Sequence, residues 1–224
     1  GVHKGFTAPS NSPNVDEETA INYELGFRYN KGYLSTELIG FLSDYDNILG
    51  ECTSSSGSDC VIGEAFNGDA ATVAGLELLV SANLASSNDY QIPVSLSYTH
   101  INGEFDTDIA DTAFFGSVSK GAPLPYLPEN QFLASIGFEK DNWATFLTGN
   151  YVDEVCVRAS CNAFEKTDDT FTVDISANYQ FSSALTFYGR VENLTSQEDI
   201  LSRHPYGARP NKDRTVTAGL RFNF

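Results

Sequence analysis

Side chains able to hold an anion gather in one stretch late in the chain, where Arg203, His204, Tyr206, Arg209 and Lys212 stand close together. Guanidinium forks match carboxylates and phosphates in two-point geometry, so Arg203, His204, Tyr206 and Arg209 form the candidate ligand-binding group. The competing role for the same cations is pairing with neighbouring acids. A second stretch has the opposite character. Between residues 44 and 70 lie Asp44, Asp46, Glu51, Asp59, Glu64 and Asp69 with no Lys or Arg, a segment that repels anions unless a cation intervenes. Carboxylate oxygens suit calcium, but no Asp-x-Asp-x-Asp-Gly loop is present, and a solvated acidic face is the expectation.

Cysteine offers a further chemistry. Cys52 and Cys60 are eight positions apart, and Cys156 and Cys161 five apart. Each span is short enough to staple a loop, and disulfides form in oxidising compartments such as the periplasm and the cell surface. Zinc is the alternative, although neither pair has a histidine close by and the spacing is poor for ligation. Local disulfides Cys52–Cys60 and Cys156–Cys161 are expected, and no metal site or cofactor. Covalent catalysis has little to draw on. His3, His100 and His204 are the only histidines, none in a nucleophile–base motif, and no glycine-rich phosphate loop occurs. The chain is not expected to be an enzyme.

The elements that must carry these groups show in the hydropathy pattern. From Thr215 to Phe224 the chain alternates strictly, with Val216, Ala218, Leu220, Phe222 and Phe224 on one side and Thr215, Thr217, Gly219, Arg221 and Asn223 on the other. About ten residues is the length a tilted strand needs to cross a bilayer, and one apolar face opposite a polar one suits a wall between lipid and a wet lumen. The same alternation recurs in Ala20–Asn30 and around Val173–Phe181, and in Ile92–Tyr98, Phe132–Phe138 and Leu185–Val191. Tyr33–Leu42 is less regular, and its register is left open. Nine runs have strand character.

The connections are as telling as the runs. Short ones (Asn30–Gly32, Ala85–Tyr90, Lys140–Asn142, Ser182–Ser183) alternate with long ones (7–18, 44–70, 103–127, 152–169, 195–213). Membrane barrels have short turns on one side and long loops on the other; a soluble sandwich has no reason to sort its connections so. Aromatics (Phe27, Tyr29, Tyr33, Trp143, Tyr179, Phe181, Phe222, Phe224) gather beside the short turns, where an interfacial girdle sits. The composition permits this reading: 224 residues, 41% hydrophobic, 12% aromatic and 19% charged, with mean hydropathy −0.23. A net charge of −17 from 30 acidic and 13 basic residues argues against nucleic acid as a partner. No apolar run reaches the roughly 18 residues of a membrane helix.

On this frame lie segments that carry a family resemblance. Gly1-Val-His-Lys-Gly-Phe-Thr-Ala-Pro9, Asn22-Tyr-Glu-Leu-Gly26, Val73-Ala-Gly-Leu-Glu77, Val191-Glu-Asn-Leu-Thr195 and the run from Arg209 to Phe224 together resemble the C-terminal half of a TonB-dependent outer-membrane receptor, nearest to the ferric dicitrate type. The resemblance implies an all-β, antiparallel transmembrane β-barrel segment: nine to ten strands of a barrel of about 22, with residues 1–224 its C-terminal part and the plug domain and N-terminal strands absent from this chain. It implies uptake of an iron chelate or similar scarce nutrient through the outer membrane, energised by the TonB complex acting on that plug. The β-barrel assembly machinery is a further implied partner, reading a terminal signal at Phe222 and Phe224, and outer-membrane lipids surround the wall.

Glu24, Arg28, Glu77, Asp174, Arg190, Glu192 and Arg221 would line the lumen, where pairing that holds wall and plug together competes with direct ligand contact. The cluster at Arg203–Arg209 would meet the carboxylates of a chelate such as ferric citrate, or lipopolysaccharide phosphate. The alternatives are a passive porin-like channel and, further off, a soluble sandwich. The opening at Gly1, without Met or a leader, reads as a processed or truncated end, and Gly1–Phe6 as the end of a further strand.

Overall fold

The computed structural model describes residues 15–51, 65–86, 89–112, 116–159, 161–203 and 207–223. Nine long strands dominate it: β1 (Thr19–Lys31), β2 (Leu34–Asp46), β3 (Ala71–Ser86), β4 (Gln91–Phe105), β5 (Asn130–Lys140), β6 (Trp143–Val152), β7 (Thr170–Ser182), β8 (Leu185–Glu192) and β9 (Thr215–Phe222). They form a single nine-stranded meander in which each strand pairs with its sequence neighbour, every pairing antiparallel. Two-residue turns close β1–β2, β5–β6 and β7–β8, and four residues separate β3 from β4. Asp141 takes the left-handed conformation that such a turn asks of its first residue (φ 49°). Long connections occupy the other end, so the expected sorting of short turns and long loops holds throughout the sheet.

Opposed residues in an antiparallel pair lie on the same face, so the register assigns every side chain. One face carries Ile21, Tyr23, Leu25 and Phe27 of β1 and Leu34, Leu38 and Leu42 of β2, with Leu42 opposite Tyr23 and Leu38 opposite Phe27. It continues through Leu76 and Leu78, Val94 and Leu96, Phe132 and Ile136, Leu147, Ile175, Phe187 and Val191 to Val216 and Leu220. These residues are not tucked into a core: Leu25 is 83% exposed, Val216 73%, and Ile136 and Leu147 48% and 43%. A soluble sandwich would bury them, since each apolar side chain withdrawn from water stabilises by about 1.5–3 kcal/mol. The strand that resisted assignment is settled here. In β2, Leu34, Leu38 and Leu42 join the apolar face, while Glu37, Ile39 and Phe41 turn to the other.

That other face is polar and built from small residues with aromatic lids. Phe41 lies across from Gly75, Phe146 across from Gly137 and Tyr188 across from Gly219, and a Cβ on each glycine would come within 2.5–2.6 Å of the facing ring. The rings need the bare glycine backbone to lie flat against the sheet, a device that pins register on curved sheets.

The strands run past the apolar band at the loop end. β3 has 16 residues and β4 has 15, against the roughly 9–11 that cross a bilayer. The ladder therefore continues through Asp44, Asp46 and Glu104, which the sequence reading placed in loops. Above the rim lies the only fully dry cluster among the described residues, where Phe105, Val118 and Ala159 pack with Ile109, Ala122 and Leu124. Among the described residues no helix is long and apolar enough to cross a membrane.

Candidate functional site

All the charged residues assigned to one side from sequence lie on the polar face by register: Glu24 and Arg28, Glu77, Asp174, Arg190, Glu192 and Arg221. Three of the seven pair with one another, and two more engage other side chains of the same face. Arg28 reaches Glu37 across the β1–β2 pair at 2.8 Å. Arg190 holds Asp174 at 2.8 Å and Glu192 at 3.5 Å, and Arg221 sits 6.0 Å from the centre of the Tyr188 ring, within range of a cation–π contact. Glu37 was missed from sequence because β2 could not be phased there.

The Arg190 group extends upward. Lys212, in the connection after β8, donates to Glu192 at 2.8 Å, so this member of the late cationic stretch is tied to the wall. Beside it Asn193 is buried with a left-handed backbone (φ 51°). Its amide donates to the carbonyls of Gln197 and Lys212, at 2.8 and 2.9 Å, and its side-chain oxygen accepts from the Gln197 N–H. Its own N–H donates to Asp174. Val191-Glu-Asn-Leu-Thr195 is thus the anchor by which the last loop is fastened to the barrel rim. Replacing Asn193 with Ala strands the backbone groups it serves, costing about 1–3 kcal/mol. Amide hydrogen exchange should accelerate in 193–214 and not in the short turns. Asn193→Gly, which keeps the backbone conformation, should loosen the loop almost as much, because the side chain carries the contacts.

The loops above the rim are docked to one another. Cys156 and Cys161 are joined (S–S 2.01 Å), as expected, and their loop places Ala159 into the dry cluster of the preceding loop; the Tyr126 N–H donates to the Cys156 carbonyl at 2.8 Å. On the other side Asp168 and Ile200 exchange hydrogen bonds of 2.7 and 2.9 Å, and the Arg203 guanidinium donates to the Lys166 carbonyl. Cys52 and Cys60 lie outside the described residues.

The predicted ligand group is partly placed. Ser202, just before Arg203, pairs with Arg209 across the two-stranded ribbon of Ile200–Ser202 and Arg209–Pro210, so the two arginines stand on facing arms. His204 and Tyr206 lie outside the described residues. Phe222 projects from the apolar face, 57% exposed, and Phe224 lies outside the described residues, as does Gly1–Phe6.

A polar knot invisible from sequence ties β4, β5 and β6 together at the loop end. Asp153 accepts from the Tyr151 hydroxyl at 2.6 Å and from the Asn130 backbone and amide at 2.9 and 2.7 Å, while Asn130 accepts from Tyr98 at 2.8 Å and lies 3.0 Å from His100. Burial disfavours the charged Asp153, but the hydrogen bonds from Tyr151 and Asn130 outweigh it and hold its pKa below the ordinary value. A carboxylate with a lowered folded pKa contributes stability above the ordinary value and loses it as pH falls through the lowered one. Protection of the Asn130 amide should therefore persist down to the ordinary aspartate value of about 3.9 and fail below it. Asp153→Asn should remove that acid dependence.

Comparison with known proteins decides what this arrangement is. Residues 3–194 match the family described as TonB dependent receptor-like, beta-barrel. The chain belongs to the TonB-dependent receptor β-barrel family. Among solved structures the receptor barrel is similar to the siderophore receptor PiuA from Acinetobacter baumannii (TM-score 0.72, 15% identity, covering 95% of this chain and 30% of that one). It is also similar to the ferric yersiniabactin uptake receptor FyuA from Yersinia pestis (0.70, 20%, 92% and 30%) and to the ferric citrate transporter FecA in its unliganded form (0.70, 19%, 90% and 31%). No protein of curated function matches the sequence. The chain spans about 30% of the length of the structures it matches. It is an outer-membrane β-barrel segment, and its apolar face is the one that meets lipid. The family is one of transport receptors.

Proposed function

We propose that this chain walls the C-terminal part of an outer-membrane receptor that takes up an iron chelate, such as a siderophore or ferric citrate, by energised transport. The polar face is the lumen wall, and the observation that carries this is the separation of charge. Arg28, Glu37, Glu77, Asp174, Arg190, Glu192 and Arg221 all share the face opposite the lipid-facing apolar residues. Such pairs, exposed as Arg28 is (72% for its side chain), add little to stability, because solvent screens them. Their use is to keep the lumen wet and polar. Among the described residues β1 and β9 each bond one neighbour only, and an unpaired edge in lipid costs several kcal/mol per backbone group, which supports a larger barrel completed by further strands around a plug. The TonB complex would act on that plug, and the assembly machinery would read the aromatic residues Phe222 and Phe224 of the sequence. No covalent step is involved.

Ligand capture belongs to the docked loops, where Arg203, His204, Tyr206 and Arg209 offer cationic and aromatic groups to a carboxylate-bearing chelate. Charge-assisted contacts of this kind contribute about 1.5–3 kcal/mol each, so Arg203→Ala and Arg209→Ala in the intact receptor should each weaken ferric citrate binding about tenfold or more. Unchanged affinity in both would remove the loop site. Uptake should stop when the inner-membrane proton gradient is collapsed; uptake that continues would establish a passive porin-like channel, a reading that the receptor-family match disfavours.

A further inference from the structure

The lipid-facing surface is not uniform, and one part of it is shaped. At the short-turn rim a cleft of about 480 Å³ is lined by Phe138, Lys140, Asp141, Asn142, Trp143 and Tyr179. Register places Lys140, Trp143 and Tyr179 in one row across β5, β6 and β7 on the apolar face. The walls are fixed by aromatic contacts: Trp143 meets Tyr179 edge-on at 6.4 Å, and Phe138 stacks on Tyr90 at 6.0 Å. The Gln180 N–H donates to the Asn142 carbonyl at 2.8 Å, holding the turn against β7. None of the ion pairs among the described residues uses Lys140.

A groove leaves this cleft. The row Trp143, Tyr179, Phe187, Leu220 is large; the next, Thr145, Ala177, Gly189, Ala218, is small; the one beyond, Leu147, Ile175, Val191, Val216, is large again. Two ridges thus flank a furrow three inter-strand steps long, about 14 Å. It begins next to the cleft and climbs into the apolar band, since Thr145 is three residues from its turn and Gly189 five from its own.

Short turns lie on the periplasmic side of outer-membrane barrels, and we propose that the cleft and furrow together bind one glycerophospholipid of the periplasmic leaflet with a zwitterionic phosphoethanolamine headgroup. Lys140 meets the phosphate. Asp141 meets the primary ammonium, with the faces of Trp143 and Tyr179 adding cation–π attraction. The furrow takes an acyl chain. The carboxylate of Asp141 makes the choice of headgroup: an anionic lipid without a cation leaves it unpaired and repelled. The proposal rests on the apolar face lying in the membrane.

Native mass spectrometry of the intact receptor, released from detergent after titration with phosphatidylethanolamine or phosphatidylglycerol, tests it. One phosphatidylethanolamine should be retained about tenfold more than phosphatidylglycerol. Asp141→Asn, which keeps the left-handed turn, should reverse that order, and Gly189→Leu, which fills the furrow, should lower retention of both lipids together. Equal retention of the two by the unaltered receptor, or an unchanged order in Asp141→Asn, would overturn the headgroup assignment. A protein that stays dispersed without detergent and retains neither lipid would instead overturn the membrane placement, and the proposal with it.

Discussion

Placing an arginine at Leu147 should destabilise the receptor by about 2–4 kcal/mol, the cost of a charge near the bilayer midplane on the lipid face of a barrel. Leu147 stands mid-strand in β6, flanked on the apolar face by Ile136 and Ile175, too far from either rim for a long side chain to carry its charge to water. The next residue, Thr148, looks the other way and donates to Ser135 at 3.1 Å. Thr148→Arg, placed in the lumen, should cost well under half as much. Equilibrium unfolding of both variants in bilayers measures the difference, and equal costs would mean that the two faces are not distinguished by lipid.

The second large effect is expected at Gly75, from packing within the sheet and not from the membrane. A methyl group there would lie 2.5 Å from the His100 carbonyl oxygen and 2.6 Å from Cζ of Phe41. Backbone cannot swing away as a side chain can, so Gly75→Ala should cost about 1–3 kcal/mol, the range for overpacking, or shift the β3–β4 register. Gly40, one strand over, has nothing within 4 Å of its would-be Cβ, and Gly40→Ala should be close to neutral. The double change Phe41→Ala with Gly75→Ala discriminates further. Removing the ring relieves only one of the two collisions, so stability should not return, and recovery to the level of Phe41→Ala alone would show that the backbone contact is unimportant. Thermal unfolding of the four variants reads this directly.

Strands with one wholly apolar face were legible from sequence. In β1, Ile21 to Tyr29 alternate with Asn22 to Arg28 without exception, and in β9 Val216 to Phe222 do the same, because the lipid demands apolar side chains at every second position and the lumen accepts almost anything between. That tolerance is what hid β2. Ile39 and Phe41 sit on the polar face there, Phe41 serving as the lid on Gly75, so both faces read as apolar until pairing with β1 set Arg28 opposite Glu37. Strand ends were misjudged at Asp44 and Glu104 for a related reason: beyond the bilayer the hydrogen-bonded ladder continues, but no solvent constraint keeps its side chains apolar.

The loops gave up least. Asn193 was visible within a motif, but its role depends on the carbonyls of Gln197 and Lys212 converging on it. Ala159 in the dry cluster, and Asp153 joining three strands, are long-range arrangements that no local spacing encodes. The cationic stretch illustrates both sides. Its residues were found, yet Lys212 is tied to Glu192, and Arg203 is held by one of its donors to a backbone carbonyl, contacts that spacing alone does not encode.

The central claim is that alternate residues of these strands meet lipid and water. A spin label placed in turn at each position from Ala144 to Tyr151 of the intact receptor in bilayers, with collision rates measured for oxygen and for a water-soluble nickel chelate, tests it most directly. Thr145, Leu147, Gly149 and Tyr151 should favour oxygen and Ala144, Phe146, Thr148 and Asn150 the nickel chelate, in a strict two-residue period. Equal access to the chelate along the whole strand would contradict a membrane wall.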